Sequence, residues 1–294
     1  MKKILLSLLL VLNLCSFAQN NLTKVKNFGK NKGNLKMYTY VPNNLDTSKK
    51  NPLVFVLHGC TQCASQISKE TGWNKLADSL NFIVVYPEQR KINNVAKCYN
   101  FFLSFESKKD KGEVASIKQM IDYCFTNYAI DSSMVFITGM SAGGGMSNAM
   151  LNAYPNLFNA GALLAAPSIL FNSNSEAPII QPRIAILQGE KDKIVPKKNA
   201  DRILNQWLKK HQLETSNVEV KNNYLGNALL NAQFYYNKDY QTKIVSLRAK
   251  KISHKILITP GNEITKGGKM DFHTRDIGFH STYWIAEFFG LTKK

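Results

Sequence analysis

Hydrophobic positions along the chain form short continuous runs that are separated by stretches of helical spacing. Four runs are nearly continuous and end in turn residues: 53–59 (LVFVLHG), 82–87 (FIVVYP), 134–139 (MVFITG) and 184–189 (IAILQG). Such runs predict strands that are buried on both faces, as in a parallel sheet. The segment 35–41 (LKMYTYV) alternates between apolar and polar residues, which predicts a half-exposed strand.

Helical spacing of apolar residues marks the segments between these runs. One helix is predicted over 114–128 and another over 200–208, with Asn199 as the N-cap of the second. A last helix is predicted over 281–291, capped by Ser281. Strands that alternate with helices indicate an α/β sheet, whose functional groups gather in loops at the carboxyl ends of the strands.

The first 18 residues have the pattern of a secretory signal peptide. Two lysines precede the apolar run 4–14, and small residues follow it. The run is too short to span a bilayer, which needs roughly 20 residues. Leu14 is bulky where a lipoprotein signal has a small residue, which disfavours lipidation of Cys15. We therefore expect an exported protein with no stable membrane insertion and, since no repeat or linker interrupts the chain, a single domain over 19–294.

The chain has a formal net charge of +18. A basic protein suggests nucleic acid or another anionic surface as a partner. Its lysines are scattered singly and in pairs, however, and no compact basic run is interleaved with aromatic residues. Export also argues against nucleic acid. We therefore expect a solvated basic surface, with no nucleic-acid and no protein partner; attraction to anionic material remains a secondary interpretation.

Four cysteines follow the signal segment: Cys60, Cys63, Cys98 and Cys124. Because an exported protein meets an oxidising compartment, a disulfide is expected, although four cysteines allow three full pairings. A zinc site at 60–63 (CTQC) lacks its second pair of ligands, so no metal is expected. Cys124 lies on the apolar face of the predicted helix and is expected to be a buried free thiol.

Residues 139–143 form a G-x-S-x-G pattern between a predicted strand and an apparent helix. This setting predicts a sharp turn that exposes the serine as a nucleophile, Ser141. A Cβ at Gly139 or Gly143 would clash there, because backbone approaches backbone. The N-terminus of the following helix would favour developing negative charge. The alternative is a glycine-rich turn with an incidental serine.

A serine nucleophile needs a base and an orienting acid, in the chain order serine, acid, histidine. Asp192 follows the run 184–189 and is the candidate acid, with Glu190 as its nearest rival and a turn aspartate as the plainer interpretation. His254 follows a strand-like run and is favoured as the base over His273 and His280.

An acyl-transfer site also needs two N–H groups that stabilise the oxyanion. One is expected from Ala142, directly after the nucleophile. The other is expected from Cys60, in the loop 58–62 (HGCTQ) that follows an early strand. His58 in this loop is then a loop-fixing residue rather than a base.

Several segments resemble the polyhydroxybutyrate-depolymerase type of esterase, a group that includes feruloyl and acetylxylan esterases. The resemblance covers about residues 35–291 and rests on VLHGCTQ, VVYPEQ, CYNFF, VFITGMSAGGGMSNAML, YPNLFNAGALLAAPS, GEKDKIVP and ISHKILITPG, in that order. It implies an α/β-hydrolase fold, with a mostly parallel central sheet flanked by helices on both faces. It also implies Ser141 as nucleophile, Asp192 as acid, His254 as base, backbone donors at Cys60 and Ala142, and no metal or organic cofactor.

Relatives in this group commonly have two tryptophans near the CYNFF segment. This chain has Tyr99 and Phe102 there, which we expect to form aromatic walls for an acyl group. We expect Gln62 to be a further substrate contact. The resemblance also implies a disulfide from Cys98 to either Cys60 or Cys63.

The expected function is that of an exported serine carboxylester hydrolase. Its expected substrate is polyhydroxybutyrate or its 3-hydroxyalkanoate oligomers, cleaved through an acyl-enzyme. The segment ISHKILITPG followed by KGGK favours this branch, because the feruloyl and acetylxylan esterases more often have tryptophan and proline after the histidine. Action on feruloyl or acetyl esters of plant polysaccharide is the alternative, and an inactive polymer-binding protein on a hydrolase fold is a minor one.

Overall fold

A computed structural model describes residues 22–169 and 181–292, so the expected signal peptide at 1–18 lies outside the described residues. The strands are β1 Thr23–Val25, β2 Lys36–Tyr40, β3 Asn51–Leu57, β4 Ile83–Glu88, β5 Ile130–Met140, β6 Ala160–Leu164, β7 Arg183–Gly189, β8 Val218–Asn222, β9 Leu230–Tyr236, β10 Thr242–Ala249, β11 Ile256–Ile258 and β12 Thr274–Asp276. The helices are α1 Ala64–Thr71, α2 Trp73–Leu80, α3 Ser104–Ser107, α4 Gly112–Asn127, α5 Ala142–Ala153, α6 Lys198–His211 and α7 Ser281–Phe289. None of these helices is long and apolar enough to cross a membrane.

Ten of the described strands form one sheet in the order β1-β2-β4-β3-β5-β6-β7-β10-β9-β8. The six central strands, from β4 to β10 in this order, run parallel to one another. The strands at both edges pair antiparallel with their neighbours. Strands β11 and β12 form a separate small parallel sheet. The predicted mostly parallel sheet is therefore confirmed.

The four continuous apolar runs correspond to β3, β4, β5 and β7. Strand β2 also lies where it was predicted, but its three central residues are all buried. Strand β6 was not predicted, because its sequence (AGALL) has small residues and only five positions. It is nevertheless fully buried, and Leu151 of α5 fills the space beside Gly161 that a larger residue would need.

Two hydrophobic clusters lie on opposite faces of the sheet, because successive residues of a strand point to opposite sides. On β3, Val54 and Val56 belong to one cluster, whereas Leu53, Phe55 and Leu57 belong to the other. The first cluster includes side chains of α1, α2 and α7, and the second includes side chains of α4, α5 and α6. Helices therefore cover both faces, as expected for a sheet of buried parallel strands.

Both predicted helix N-caps are wrong, because each side chain bonds to a residue distant in sequence. The Asn199 side-chain oxygen accepts the N–H of Ser168 at 3.1 Å, and α6 begins one residue earlier than Asn199. The Ser281 hydroxyl donates to the carbonyl of Leu257 at 2.7 Å, and His280 occupies the cap position of α7. A side chain that could cap a helix can bond to such a tertiary partner instead, and the sequence alone does not reveal that partner.

Cys60 and Cys98 form a disulfide. It joins the loop 58–63, hereafter the β3–α1 loop, to the loop 89–103, hereafter the β4–α3 loop. This confirms the expected disulfide and identifies Cys60 rather than Cys63 as the partner of Cys98. The zinc alternative at 60–63 is wrong, because a disulfide sulfur is no thiolate ligand. Cys124 is a buried free thiol as predicted, and burial raises its pKa to about 12.

His58 links the carboxyl ends of two adjacent parallel strands. Its Nε2 accepts the N–H of Gln89, which follows β4, at 3.0 Å. Its Nδ1 lies 2.7 Å from the carbonyl oxygen of Gly59. A carbonyl can only accept, so Nδ1 carries the proton and the ring is neutral. Burial disfavours the imidazolium and lowers the pKa of His58 to about 4.

We expect the Cys60–Cys98 bond to stabilise the folded protein by closing a long loop in the unfolded chain. The two cysteines are 38 residues apart, for which the loop-closure relation gives about 4 kcal/mol. The Cys60→Ala, Cys98→Ala double variant should lose a free energy of unfolding of this order in urea titration. A reductant should destabilise the wild type to the same extent and leave the variant unchanged. Equal stability of both proteins without reductant would contradict the prediction.

We expect His58 to make the protein less stable in acid. Its pKa falls from 6.5 to about 4 on folding, so the folded protein binds fewer protons than the unfolded chain between these values. The neutral ring of His58 therefore contributes about 3 kcal/mol to the free energy of unfolding above pH 6.5, and this contribution is lost as the pH falls toward 4. The free energy of unfolding of the wild type should therefore decrease over this range more steeply than that of His58→Gln. Parallel pH profiles would show that His58 is not the cause.

Candidate active site

Ser141 lies on a strained turn between β5 and α5. Its φ is 55°, a left-handed conformation that a residue with a side chain adopts only at an energetic cost. Two hydrogen bonds hold the turn: Ser141 N–H donates to Leu164 at the end of β6, and Gly145 N–H donates to the Ser141 carbonyl, each at 2.9 Å. The residue predicted as nucleophile therefore sits at the carboxyl edge of the parallel strands.

Two glycines allow this turn to pack directly on the end of β3. A Cβ at Gly143 would lie 2.3 Å from the Leu57 carbonyl oxygen, and a Cβ at Gly139 would lie 2.5 Å from the Gly143 carbonyl carbon. The predicted clashes at both positions are confirmed. On the other side of the contact, a Cβ at Gly59 would lie 3.4 Å from the Ser141 Cβ. The turn and the β3–α1 loop are therefore immediate neighbours.

Gly145 leaves room for an aromatic ring beside the turn. A Cβ at this position would lie 2.9 Å from the ring of Phe101. The ring of Phe102 meets that of Phe101 edge to face, with centroids 5.4 Å apart. Sequence reasoning missed Phe101, although the third glycine of the GGG run was a signal that a bulky group packs there.

His254 and Asp192 form a close pair on the loops that follow two neighbouring strands. His254 Nδ1 lies 2.7 Å from Asp192 Oδ2, and the Asp192 side chain is fully buried. The His254 side chain keeps 11% of its surface exposed. An ionised carboxylate accepts only, so Nδ1 donates, and in the neutral ring Nε2 is then the acceptor.

The parallel pairing of β7 with β10 brings this pair together from distant parts of the sequence. Asp192 follows β7, and His254 follows β10. A Cβ at Gly189 would lie 2.4 Å from the Ser253 carbonyl oxygen, so the two loops touch through backbone. The Lys191 N–H donates to the Ile252 carbonyl at 2.8 Å and fixes their relative position.

Hydrogen bonds keep Asp192 ionised despite its burial. Burial by itself would raise its pKa, but donors from His254 and from the backbone of Val195 and Ile194 outweigh burial and lower the pKa below 3.8. The two backbone N–H groups donate to Asp192 Oδ1 at 2.9 Å each. The carboxylate is therefore held in one orientation, with Oδ2 facing His254.

The other histidines after Ser141 have partners elsewhere. His273 Nδ1 lies 3.1 Å from Glu70 Oε1, and His280 Nε2 donates to the Thr71 carbonyl at 3.0 Å. His211 Nε2 lies 3.0 Å from the Pro182 carbonyl oxygen. Of the candidate bases, His254 is the one that hydrogen-bonds to Asp192.

The two backbone N–H groups proposed for an oxyanion lie on adjoining segments. Ala142 is the first residue of α5, where a helix has no internal acceptor for its N–H. The Gly59 N–H donates to Gln62 Oε1 at 2.6 Å and is thus unavailable to a ligand. Within 22–169 and 181–292, no backbone acceptor contacts the N–H of Cys60 or Ala142.

The structure corrects two of the three predicted substrate contacts. Gln62 is fully buried, and its side chain bonds to Gly59 and Glu70. Tyr99 is fully buried as well, and its hydroxyl donates to the Pro87 carbonyl at 2.7 Å. Neither side chain presents surface to a substrate. Phe102, in contrast, is 58% exposed.

Known proteins resemble this chain in sequence over different lengths. The poly(3-hydroxyalkanoate) depolymerase C of Paucimonas lemoignei is 29% identical over 99% of this chain and 75% of its own length. The feruloyl esterase B of Talaromyces funiculosus is 32% identical over 54% of this chain. That match spans 45% of the esterase, so the chain corresponds to less than half of this relative.

The fold also has counterparts among solved structures. The acetyl xylan esterase from Aspergillus awamori superposes with a TM-score of 0.70, covering 80% of this chain and 94% of that enzyme at 23% identity. The α/β-hydrolase fold is thereby confirmed. The model of the family described as Esterase PHB depolymerase matches residues 35–181, which include the β3–α1 loop and the Ser141 turn. Since this match covers half of the chain, the protein belongs to the esterase PHB depolymerase family of carboxylic ester hydrolases.

Proposed function

We propose that this protein is an exported serine esterase that cleaves polyhydroxybutyrate or its 3-hydroxyalkanoate oligomers through a Ser141–His254–Asp192 triad. The observation that carries the proposal is the 2.7 Å contact between His254 Nδ1 and the buried Asp192 carboxylate, at the same sheet edge as the strained Ser141. Nucleophilic acyl transfer requires a histidine oriented by an acid and a serine held on a tight turn, and this sheet edge carries both.

In the acylation step, His254 Nε2 takes the proton from Ser141 Oγ as that oxygen attacks the ester carbonyl. The carbonyl oxygen becomes negatively charged and accepts hydrogen bonds from the N–H groups of Cys60 and Ala142. Asp192 stabilises the imidazolium that forms, without taking up its proton. The intermediate then expels the alcohol, which receives the proton from His254, and the acyl group remains on Ser141.

In the deacylation step, water repeats the attack with the roles of the histidine unchanged. His254 takes a proton from the water as it attacks the acyl carbonyl, and the same two N–H groups hold the second oxyanion. The carboxylic acid leaves as the Ser141 oxygen regains its proton. This sequence uses no metal and no organic cofactor.

Export is supported by the signal-peptide pattern at 1–18 and by the Cys60–Cys98 disulfide. Structural disulfides persist in oxidising compartments and are rare where thiols are kept reduced. The proposed location is therefore outside the cytoplasm, in the periplasm or the medium.

Two observations favour a polyester substrate. The first is the match to a poly(3-hydroxyalkanoate) depolymerase over 99% of the chain. The second is a set of apolar side chains on and next to the β4–α3 loop that are more than half exposed: Ile92, Val95, Phe102 and Phe105. The disulfide ties this loop to the proposed oxyanion donor at Cys60. Several exposed apolar side chains on one loop can form a contact surface, here for an aliphatic polyester.

The second candidate is an esterase that removes feruloyl or acetyl groups from plant polysaccharide. The partial sequence match to a feruloyl esterase favours it. All of these reactions use the same triad, so substrate tests rather than triad variants distinguish them.

We expect hydrolysis of 3-hydroxybutyrate oligomers and of a polyhydroxybutyrate film to be faster than hydrolysis of methyl ferulate and acetylated xylan. Ser141→Ala should lower kcat by at least about 10⁴-fold on each active substrate and leave the melting temperature nearly unchanged. Ser147→Ala, on the helix that follows this turn, is the matched control that should retain turnover.

Exclusive activity on methyl ferulate and acetylated xylan would replace the polyester substrate with the second candidate. Undiminished turnover by Ser141→Ala would overturn the triad. Film binding without hydrolysis by the wild type would indicate an inactive polymer-binding protein.

We expect Asp192→Asn to lower kcat by about 10⁴-fold with little change in KM, because the amide no longer selects the histidine tautomer that leaves Nε2 unprotonated. Steady-state kinetics on a soluble short-chain ester would measure both constants. Glu190→Gln is the control, since Glu190 is the rival acid in sequence and should be dispensable. A loss of the same size in Glu190→Gln, with Asp192→Asn unaffected, would reassign the acid.

A further inference from the structure

The buried side chain of Gln62 occupies the inside of the β3–α1 loop. Its Oε1 accepts the Gly59 N–H at 2.6 Å, and its Nε2 donates to Glu70 Oε2. Glu70 lies on α1 and is 1% exposed. The loop that holds the proposed Cys60 donor is thus connected through one amide to a buried carboxylate that the reaction itself does not use.

The peptide group between Gly59 and Cys60 is held by its carbonyl end. The Gly59 oxygen lies 2.7 Å from His58 Nδ1 and accepts the Gln62 N–H at 3.3 Å. In a trans peptide the N–H points opposite to the carbonyl of the same plane. The Cys60 N–H is therefore directed away from these partners, and its direction depends on how firmly Gly59 is held.

Glu70 determines which way the Gln62 amide faces. Its other oxygen, Oε1, accepts a hydrogen bond from Gln66 Nε2 at 2.8 Å, and His273 Nδ1 lies 3.1 Å from Oε1. A carboxylate only accepts hydrogen bonds, so it requires the NH₂ end of Gln62 to face it. The oxygen of Gln62 then faces the Gly59 N–H. The reverse orientation would place two donors against each other and leave buried groups unpaired, which is costly.

We propose that Glu70, acting through Gln62, is a positioning residue for the oxyanion donor at Cys60. The inference rests on the proposed function, because it concerns the transition state of that ester hydrolysis. In this arrangement the Gly59 N–H donates to Gln62, and Gln62 donates to Glu70, so the direction of both hydrogen bonds is fixed. The pair supports a group that acts mainly in the transition state, so its loss should reduce kcat more than it raises KM.

Gln62→Met removes the acceptor for Gly59 while keeping the length of the side chain. We expect kcat on a soluble short-chain ester to fall by about 10- to 100-fold, less than the loss of an oxyanion donor outright, with KM nearly unchanged. The affinity for a trifluoromethyl ketone, whose adduct with Ser141 carries an oxyanion, should fall in parallel. A merely structural role would lower the melting temperature and would not change kcat per active site.

Glu70→Gln and the Gln62→Glu, Glu70→Gln exchange test the direction of hydrogen bonding at constant volume. Glu70→Gln leaves an amide that no longer imposes an orientation on Gln62, so kcat should fall. In the exchange, the carboxylate at position 62 accepts from the Gly59 N–H and from the amide nitrogen at position 70. The amide oxygen at position 70 then accepts from Gln66 and His273. Every hydrogen bond between the loop and its neighbours keeps a donor and an acceptor, so kcat should recover to within a few-fold of the wild type.

Thr71→Val is the matched control, since the Thr71 hydroxyl is buried on the same helix and donates to the Ile67 carbonyl. Its kcat should be that of the wild type. Unchanged kcat in Gln62→Met, or an exchange variant no faster than Glu70→Gln, would overturn the inference. If Gln62→Met does not fold, the comparison of Glu70→Gln with the exchange variant decides. Absence of Ser141-dependent turnover in the wild type would instead overturn the proposed function.

Discussion

The close contact between the Ser141 turn and the end of β3 is the constraint on which the rest of the site depends. Gly143 lies against the Leu57 carbonyl with no space for a Cβ, and Gly139 lies equally close to Gly143. Backbone packed on backbone cannot shift without loss of many contacts, because protein interiors are filled to crystal density. The first turn of α5 and the β3–α1 loop are therefore fixed relative to each other. This fixes the positions of the two proposed oxyanion donors, since one lies on each segment.

Buried polar groups then fix the loops that hydrophobic packing leaves undetermined. His58 joins the ends of β3 and β4, Glu70 orients Gln62, and backbone donors orient Asp192. Each of these side chains is nearly inaccessible to solvent. Such groups are costly to bury without partners, so each network favours one arrangement strongly. A site whose dipoles are already oriented needs little reorganisation when charge develops.

Long-range contacts account for most differences between the expected and the observed fold. The continuous apolar runs predicted β3, β4, β5 and β7, because burial on both faces leaves a local pattern. The small residues of β6 leave no such pattern. Its burial comes from its place between β5 and β7, and Leu151 of α5 packs beside Gly161. Asn199 and Ser281 have the composition of helix caps, but they bond to residues 31 and 24 positions away. Gln62 and Tyr99 lie in motif segments, yet their side chains point into the interior.

The sequence by itself determined the strand–turn–helix around Ser141, the exclusion of side chains at Gly139 and Gly143, and the order of serine, acid and histidine. The turn and its glycines are local properties, since a few neighbouring residues decide backbone conformation, and the chain order can be read directly from the sequence. The sequence favoured His254 over His273 and His280, but only the tertiary structure decided that it meets Asp192. It alone also decided that Cys98 pairs with Cys60 and that Phe101 packs on the turn. These partners are far apart along the chain, and the order of strands in the sheet brings them together.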